Sequence, residues 1–367
     1  MATAAQTPKH RQVYAAVRRD IESGRLSDGA RLPSEAVLGQ KFGASRITVS
    51  RAMRDLQVAG LVERRAGSGT FVKAVKAATG PSFGLLIPDL GETEIFEPIC
   101  QGMMGSPLAR QHALVWGSPN GSGNSKEDRA WQMCRQYIDR RVAGVFFAPL
   151  EETLHQNDVN LRIVEALDAA KIPVVLLDRP ALPYPRRGHH DLVGIDNRRA
   201  GYIITEHLTS LGARRVGFVA VPQAAATVDA REAGYREALY AANLPIAREL
   251  AVRLDPSDSS AVDAFMRSAR PDAVVCANDR TAARLMPTLL RLGYAIPGNV
   301  RLVGIDDVEY AGLLPVPLTT LRQPTQQIGD AALGVMLERV ARTDFPPRDV
   351  QLHCELVVRE SCGGGTN

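Results

Sequence analysis

Leu32-Pro33-Ser34-Glu35 is followed by Ser45-Arg46-Ile47-Thr48-Val49 and then by Gly67-Ser68-Gly69-Thr70-Phe71-Val72 near the start of this 367-residue chain. Serine is a preferred helix N-cap, so Ser34 and Ser45 each predict the beginning of a helix. Glycines between two short strand-like segments predict a tight β-hairpin. This order of helix, turn, helix and hairpin is that of a winged helix-turn-helix, whose recognition helix enters the major groove of duplex DNA.

The helix that follows Ser45 has two different faces. Its predicted inward stripe consists of Val49, Ala52, Met53 and Leu56. Its N-terminal residues are expected to meet base edges, with Arg46 as the best candidate for a bidentate guanine contact and Thr48 for a base or a phosphate. The full set of predicted DNA contacts is Ser34, Glu35, Ser45, Arg46, Thr48, Ser50, Arg51, Arg65, Gly67, Ser68, Gly69 and Thr70.

The charge of the chain is distributed unevenly. Residues 1–78 contain 14 Lys and Arg against 6 Asp and Glu, a net charge of +8, whereas the whole chain carries +4 and the remainder therefore −4. A basic excess confined to one segment favours binding to phosphates through counterion release. An Arg-rich solvated helix bundle would also be basic, but it would not require the ordered motifs.

These motifs resemble the DNA-binding domain of the GntR family over residues 9–72. The family pattern includes Leu-Pro-Ser-Glu, Ser-Arg-x-Thr-Val and Gly-x-Gly-Thr-Phe-Val, all of which this chain contains. The family often has arginine after Pro-Ser-Glu and after Thr-Val, where this chain has Ala36 and Ser50. The resemblance therefore implies an operator that differs from the usual family consensus.

Beyond a short linker, strand patterns alternate with helical patterns. The candidate strands are Phe83–Ile87, Ala113–Trp116, Gly144–Ala148, Pro173–Leu177, Leu192–Ile195, Arg215–Ala220, Ala273–Ala277 and Arg301–Gly304, and the candidate helices include Glu127–Arg141, Asn160–Ala170, Arg198–Leu211 and Asp229–Ala242. Such alternation predicts an α/β fold with parallel sheets, and the number of strands favours two lobes. We place the DNA-binding domain at 1–72, the linker at 73–82, the two-lobed sensor domain at 83–362 and a tail at 363–367.

Polar residues follow several of these strands. Asp178, Asn278 with Asp279, and Asp306 with Asp307 each stand where a strand gives way to a loop. Ligands of parallel sheets bind outside the carboxyl ends of the strands, so these side chains could bind sugar hydroxyls. They could instead cap the next helix or bridge neighbouring strands. Arg231 lies near the start of a predicted helix, where a cation opposes the dipole, which favours a ligand or an acidic partner for it.

Residues 83–362 resemble the effector-binding domain of the LacI/GalR family, which has the type I fold of periplasmic sugar-binding proteins. The matching segments include Ile172–Pro180, Asp229–Tyr235, Pro271–Asp279 and Pro317–Pro324. Carried over to matching positions, the resemblance implies these effector contacts: Phe96, Asp178, Arg231, Asn278, Asp306 and Gln323. The loop 91–96 departs from the family pattern and contains Glu94, which is expected to supply hydrogen bonds. No LacI-type hinge helix is apparent in 73–82.

Other features narrow the class of protein. The five cysteines are odd in number and have no close paired spacing, which predicts reduced thiols without a disulfide framework or zinc site. We see no membrane span or export signal, and therefore expect a cytoplasmic protein. His112, His155 and His207 have no evident nucleophile partner, and His189-His190 is expected to be solvated, so we expect neither an enzyme, a cofactor nor a bound metal.

The fusion of the two domain types resembles the arabinose repressor group. It predicts a homodimeric transcription factor, a repressor rather than an activator, that binds a palindromic operator and responds to a monosaccharide. The alternatives are a cytosolic sugar-binding protein without a DNA role and a regulator that responds to a non-sugar effector such as a purine.

Overall fold

The computed structural model describes residues 9–22, 25–27, 29–58, 61–65, 69–72, 80–88, 90, 94–117 and 125–364. The chain forms two compact units, Met1–Gly80 and Pro81–Asn367. Residues 73–79 of the predicted linker (73–82) lie outside the described residues. The first strand of the second unit begins at Ser82, within the predicted linker.

The first unit contains three helices and a hairpin. They are α1 (Lys9–Glu22), α2 (Glu35–Phe42), α3 (Arg46–Val58), β1 (Val62–Arg65) and β2 (Gly69–Val72). The two strands pair antiparallel, with Val62 opposite Val72. The predicted winged helix-turn-helix is therefore confirmed.

The N-caps and the core of this unit follow the sequence pattern. The Ser34 hydroxyl accepts a hydrogen bond from the Val37 N–H at 3.4 Å, and the Ser45 hydroxyl accepts one from the Thr48 N–H at 3.3 Å. The predicted stripe on α3 is buried, together with residues of α1, α2 and both strands. This core consists of Val13, Val17, Leu32, Leu38, Val49, Ala52, Met53, Leu56, Val62 and Val72.

The second unit contains two six-stranded sheets. The strands are β3 (Ser82–Leu86), β4 (Ala113–Trp116), β5 (Gly144–Phe147), β6 (Val174–Leu177), β7 (Asp191–Ile195), β8 (Val216–Ala220), β9 (Ala251–Arg253), β10 (Ala273–Cys276), β11 (Arg301–Asp306), β12 (Thr319–Arg322), β13 (Asp349–Leu352) and β14 (Glu355–Val357). The helices are α4 (Phe96–Gly105), α5 (Lys126–Asp139), α6 (Gln156–Ala169), α7 (Asn197–Ser210), α8 (Ala226–Ala241), α9 (Ser259–Ala269), α10 (Asp279–Arg291) and α11 (Thr325–Ala341). Short 3₁₀ helices occupy Pro107–Gln111, Arg248–Leu250, Glu309–Leu313 and Glu360–Cys362.

The two sheets define two lobes. The first lobe has the strand order β13-β7-β6-β5-β3-β4 and the second has β14-β12-β11-β10-β8-β9. The chain crosses between the lobes after β7, after β12 and between β13 and β14. All pairings in these sheets are parallel except that of β12 with β14. The predicted two-lobed α/β fold with parallel sheets is confirmed.

Four strands were absent from the sequence prediction: β9, β12, β13 and β14. They are three or four residues long and contain polar or charged residues, such as Asp349 and Gln351 in β13. Pairing with a neighbouring strand, which a linear hydrophobic pattern does not reveal, gives these segments their strand conformation. Within the described residues, no helix is long and apolar enough to cross a membrane.

Candidate functional site

Two hydroxyl side chains interact with each other at the N-terminal end of α3. The Oγ of Ser45 lies 2.8 Å from the Oγ1 of Thr48, in addition to capping the helix. Ser45 is exposed, and both Thr48 and Ser50 are half-buried. For Arg46 and Arg51 the structure gives only a backbone position, in the first two turns of α3. The helix thus begins where the sequence predicts that DNA contacts begin.

The predicted contacts outside α3 lie in two places. Glu35, in the first turn of α2, forms an ion pair with Arg64 of β1 at 3.6 Å, and Ser34 caps the same helix. Gly69 and Thr70 begin β2, and Arg65 ends β1. Gly67 and Ser68, the predicted tip of the wing, lie outside the described residues. The ion pair gives Glu35 a structural role within the unit.

One cavity between the two lobes contains most of the predicted ligand contacts. Its lining includes Glu94, Asp178, Arg231, Asn278 and Asp306, five residues distant in sequence. Asp178 follows β6 of the first lobe, whereas Arg231 lies on α8 and Asp306 ends β11 of the second. The carboxyl ends of the strands therefore meet across the cleft, as the sequence predicts.

Two aspartates of this cavity have unusual backbone conformations. The φ angle is 66° at Asp178 and 133° at Asp306, in the region that L residues rarely adopt. A Cβ at Gly194 of β7 would lie 3.1 Å from the Cα of Asp178, so this glycine allows the turn to approach the strand. Strained positions of this kind cluster at functional sites.

Arg231 connects three elements at the floor of the cavity. Its Nε donates to the Asn197 side-chain oxygen at 2.8 Å, one terminal nitrogen donates to the carbonyl of Ala277 at 2.7 Å, and the other lies 3.5 Å from Asp306. Because α8 begins at Ala226 rather than at the predicted Asp229, Arg231 lies in the second turn. The positive end of the helix dipole therefore repels Arg231 less than the sequence suggested. Asp306 is an acidic partner of the kind that the sequence analysis expected for Arg231.

Asp306 is held from two sides. Its carboxylate accepts a hydrogen bond from the Gln323 side-chain amide at 2.7 Å and faces Arg231. Burial raises the pKa of Asp306, and the positive charge of Arg231 opposes this effect. Gln323 does not line the cavity; it contacts the site through Asp306. Ionisation of the Asp306 carboxyl group in the cleft therefore costs free energy, which its contacts with Gln323 and Arg231 partly offset.

Some polar atoms of the site have no hydrogen-bond partner within the described part of the chain. These are two buried acceptors, Oδ1 of Asp178 and Oε1 of Gln323, and one buried donor, Nη1 of Arg179, which forms the ion pair with Glu151 but no hydrogen bond. The other oxygen of Asp178 accepts from the Nε of Arg179 at 3.1 Å. A buried acceptor without a donor is unfavourable, so Oδ1 of Asp178, which lines the cavity, suits a ligand that offers O–H or N–H groups.

For the neighbouring strand-end residues, structural roles account for the contacts observed. Asn278 caps α10, where its side-chain oxygen accepts from the Thr281 N–H at 2.8 Å, although it also lines the cavity. Asp279 accepts from the Thr320 hydroxyl at 2.6 Å and from the Val308 N–H at 3.2 Å. Asp307 pairs with two arginines, Arg322 and Arg359, at 2.7 and 2.6 Å. Asp279 and Asp307 therefore bridge strands and loops of the second lobe.

The predicted aromatic contact differs from the observed arrangement. Phe96, at the start of α4, is 2 % exposed and belongs to the apolar core rather than to the cavity lining. The guanidinium of Arg179 lies over its ring, 5.3 Å from the centroid. Phe96 packs behind Arg179 and does not line the cavity, so the structure does not show the contact with a ligand that the sequence predicts.

The sequence prediction missed several charged residues of the cavity. They are Glu151, Glu152, Arg179 and Arg280. Arg179 forms ion pairs with Glu151 and Asp178, and although burial raises the pKa of Glu151, the charge of Arg179 holds it below its ordinary value. Glu151 and Glu152 follow β5 after a short loop, so the same strand-end rule could have found them.

Three contacts join the lobes at the mouth of the cavity. The Tyr310 hydroxyl donates to Glu94 at 3.1 Å, Arg280 lies 3.7 Å from Glu152, and the Glu152 N–H donates to the carbonyl of Gln223 at 3.0 Å. The free volume inside is about 40 Å³, the room of a few water molecules. A monosaccharide is larger, so its entry requires the lobes to separate.

Comparison with known proteins finds a family match within each unit. Residues 9–72 match the gntR family of bacterial regulatory proteins, and residues 205–362 match the periplasmic binding protein-like domain. The arabinose metabolism transcriptional repressor of Geobacillus stearothermophilus is 25 % identical over 366 residues, 96 % of this chain and 97 % of that protein.

Two solved structures share the fold. The transcriptional regulator CelR in complex with cellobiose has a TM-score of 0.66 at 22 % identity, covering 90 % of this chain and 100 % of that one. A LacI family regulator from Enterococcus faecium with bound ribose has a TM-score of 0.61 at 21 % identity, covering 76 % and 98 %. The architecture of the chain is therefore that of this group of proteins.

Proposed function

Because this chain is a transcriptional regulator that joins a gntR-family DNA-binding domain to a periplasmic-binding-protein-like domain, we propose that a small neutral sugar bound in the cleft controls its affinity for an operator. The observation that carries the proposal is the buried acceptor Oδ1 of Asp178, a residue that lines the cavity, without a donor among the described residues. Sugar hydroxyls supply such donors in number.

The charges of the cavity favour a neutral ligand. Its three arginines each have an acidic partner: Arg179 pairs with Glu151 and Asp178, Arg231 with Asp306, and Arg280 with Glu152. A phosphate or carboxylate group would enter a cleft whose described cations are already neutralised and whose carboxylates repel it. We therefore expect free sugars to bind more tightly than sugar phosphates.

A purine effector is a weaker candidate. None of the described residues that line the cavity is aromatic, and Phe96 is covered by Arg179. A planar base without a ring or a free guanidinium to stack on would lose a large part of its usual binding energy. The relatives named above also include proteins solved with cellobiose and with ribose.

In the proposed mechanism the protein is a cytoplasmic homodimeric repressor that binds a palindromic operator. The N-terminal end of α3 reads base edges through Arg46 and its neighbours, and the wing contacts the backbone. The sugar closes the two lobes on itself, and it changes operator affinity only as far as it binds the two states of the protein unequally. We infer repression rather than activation because the similar arabinose metabolism protein is a transcriptional repressor.

The test is a thermal-shift series on the full chain with neutral pentoses, hexoses and disaccharides, their phosphates, and purines. One neutral sugar should raise the melting temperature and weaken binding to an operator selected in vitro. Asp178→Asn, which tolerates the same backbone conformation, should abolish this shift, while Asp263→Asn on α9 should retain it. A response only to phosphates or purines would overturn the proposal.

A further inference from the structure

A compact group of metal-binding side chains lies in the first lobe, apart from the cleft. It consists of Asp168, near the end of α6, and of His189 and His190, immediately before β7. The Nε2 of His189 lies 3.0 Å from one carboxylate oxygen of Asp168, and the Nε2 of His190 lies 3.1 Å from the other. The two imidazole rings are 4.3 Å apart, with 34° between their planes.

We propose that Asp168, His189 and His190 form a binding site for a divalent transition-metal ion with the preferences of Zn²⁺. Two imidazole nitrogens and one carboxylate oxygen form a ligand set that this ion accepts, with bonds of about 2.0–2.2 Å. In a tetrahedral site such bonds place neighbouring ligand atoms about 3.3–3.5 Å apart. The two nitrogen–oxygen distances in the structure run to different oxygens of Asp168, and each is within a few tenths of an ångström of that spacing.

The geometry places a proton or a cation between these atoms. A ring nitrogen that faces a carboxylate oxygen at 3.0 Å presents lone pair to lone pair unless a proton or a cation lies between them. Both nitrogens that face Asp168 are Nε2, so one ion could replace both protons while each ring keeps a proton on its Nδ1. The rings would then remain neutral, which is the form that binds a metal.

The position of Asp168 adds an independent reason for a cation. It is the next-to-last residue of α6, where the helix dipole presents negative charge, and the last turn of this helix contains no basic residue. A carboxylate is unfavourable at this end of a helix unless a cation neutralises it. An ion bound to Asp168 would stabilise the helix end and cross-link it to the start of β7.

One histidine of the proposed site is exposed to solvent and the other is buried. The side chain of His189 is 75 % exposed and gives an ion a route from solvent, whereas that of His190 is 7 % exposed and fixed in place. The sequence predicted a solvated pair, which is wrong for His190. All three residues border a cavity of about 560 Å³ beneath the loop that leads from Asp178 to β7, and this cavity shares Asp178 and Thr227 with the lining of the 40 Å³ cleft. Three protein ligands leave a fourth coordination position open towards this cavity.

The test uses the untagged full chain after removal of metals by chelation. Addition of ZnCl₂ should give one bound ion per chain by calorimetry and a higher melting temperature, and CoCl₂ should give the visible absorption of tetrahedral Co²⁺. His189→Ala should weaken binding by about tenfold or more, and Asp168→Asn should remove the Co²⁺ absorption. His155→Ala, an exposed histidine of the same lobe, is the matched control.

Two results would overturn the site. The first is no binding of Zn²⁺ or Co²⁺ by the folded chain at a large molar excess, which would leave Asp168 as an acceptor of two histidine hydrogen bonds. The second is binding that His189→Ala and Asp168→Asn leave unchanged, which would place the ion elsewhere. Because His189 is largely exposed, its substitution leaves the fold intact, and a circular dichroism spectrum of each variant verifies this.

Discussion

The hydroxyl of Tyr310 lies 3.1 Å from a carboxylate oxygen of Glu94, and this hydrogen bond joins the two lobes across the mouth of the cleft. Tyr310 belongs to the second lobe and Glu94 to the loop before α4 in the first. Burial and the neighbouring charge of Glu94 raise the pKa of Tyr310, so the hydroxyl keeps its proton and donates. The closed arrangement of the lobes therefore contains a contact that an open arrangement loses.

Tyr310→Phe is expected to weaken sugar binding by about fivefold, because the closed state loses a hydrogen bond with a net value of about 1 kcal/mol. The phenyl ring keeps the packing of the residue, so the melting temperature without sugar should change little. Calorimetric titration with the sugar identified by the thermal-shift series measures this effect.

Tyr240→Phe provides the control for this prediction. Tyr240 is 77 % exposed on α8 and should give wild-type affinity. Equal affinities for Tyr310→Phe and wild type would show that the contact with Glu94 makes no net contribution to closure.

Asp306 is expected to make the stability of the second unit dependent on pH. Its pKa rises in the folded protein from 3.8 to about 7, chiefly through burial, so the folded state binds more protons than the unfolded state between these values. The free energy of unfolding should therefore fall as the pH rises through this window. The groups that face Asp306 are Arg231, Gln323, Asp279 and Asp178.

Asp306→Asn should reduce that pH dependence by at most about 4 kcal/mol, the free energy that corresponds to a rise in pKa from 3.8 to about 7. The measurement is denaturant unfolding of both proteins at pH 4 to 8. Asp279 also has a pKa raised by burial and contributes a slope of the same sign, so the difference between the two proteins reports Asp306 together with its effect on Asp279. Parallel curves across the range would contradict the prediction.

The sequence was informative where residues act locally or end a buried strand. Ser34 and Ser45 cap helices, and Asp178 and Asp306 meet in the cleft, because strand ends of parallel sheets share one edge. The sequence could not show that Phe96 is covered by Arg179, since this depends on side-chain packing between distant segments. Nor could it distinguish Asp306, which lines the cavity, from Asp307, which pairs with Arg322 and Arg359.

Gly69 is expected to be required for the wing. Its φ angle is 113°, and an added Cβ would lie 2.9 Å from the Nε of Arg31. Gly69→Ala should destabilise the hairpin by about 1–2 kcal/mol, because alanine is strained at this angle, and should weaken operator binding. Differential scanning calorimetry and a gel-shift titration measure the two effects.

Gly105→Ala is the matched control, since Gly105 has open space around it and no positive φ. It lies in α4 of the second unit, so operator binding should not change. If Gly69→Ala bound the operator like wild type, the strained start of β2 would have no role in the wing.

Arg46→Ala is expected to weaken operator binding by about 1–3 kcal/mol and to relax selectivity at one base pair in each half-site, as loss of a bidentate guanine contact requires. The measurement is fluorescence anisotropy with the selected operator and its single-base variants, repeated at several salt concentrations. A uniform loss of affinity with a smaller salt slope would instead assign Arg46 to a phosphate. Arg267→Ala removes an equal charge from the exposed face of α9 and should leave both the operator affinity and the base selectivity unchanged.

Since Ser50 stands where arginine is frequent in the family, Ser50→Arg should raise the affinity for the operator and steepen its salt dependence. This variant tests whether α3 presents this face to DNA.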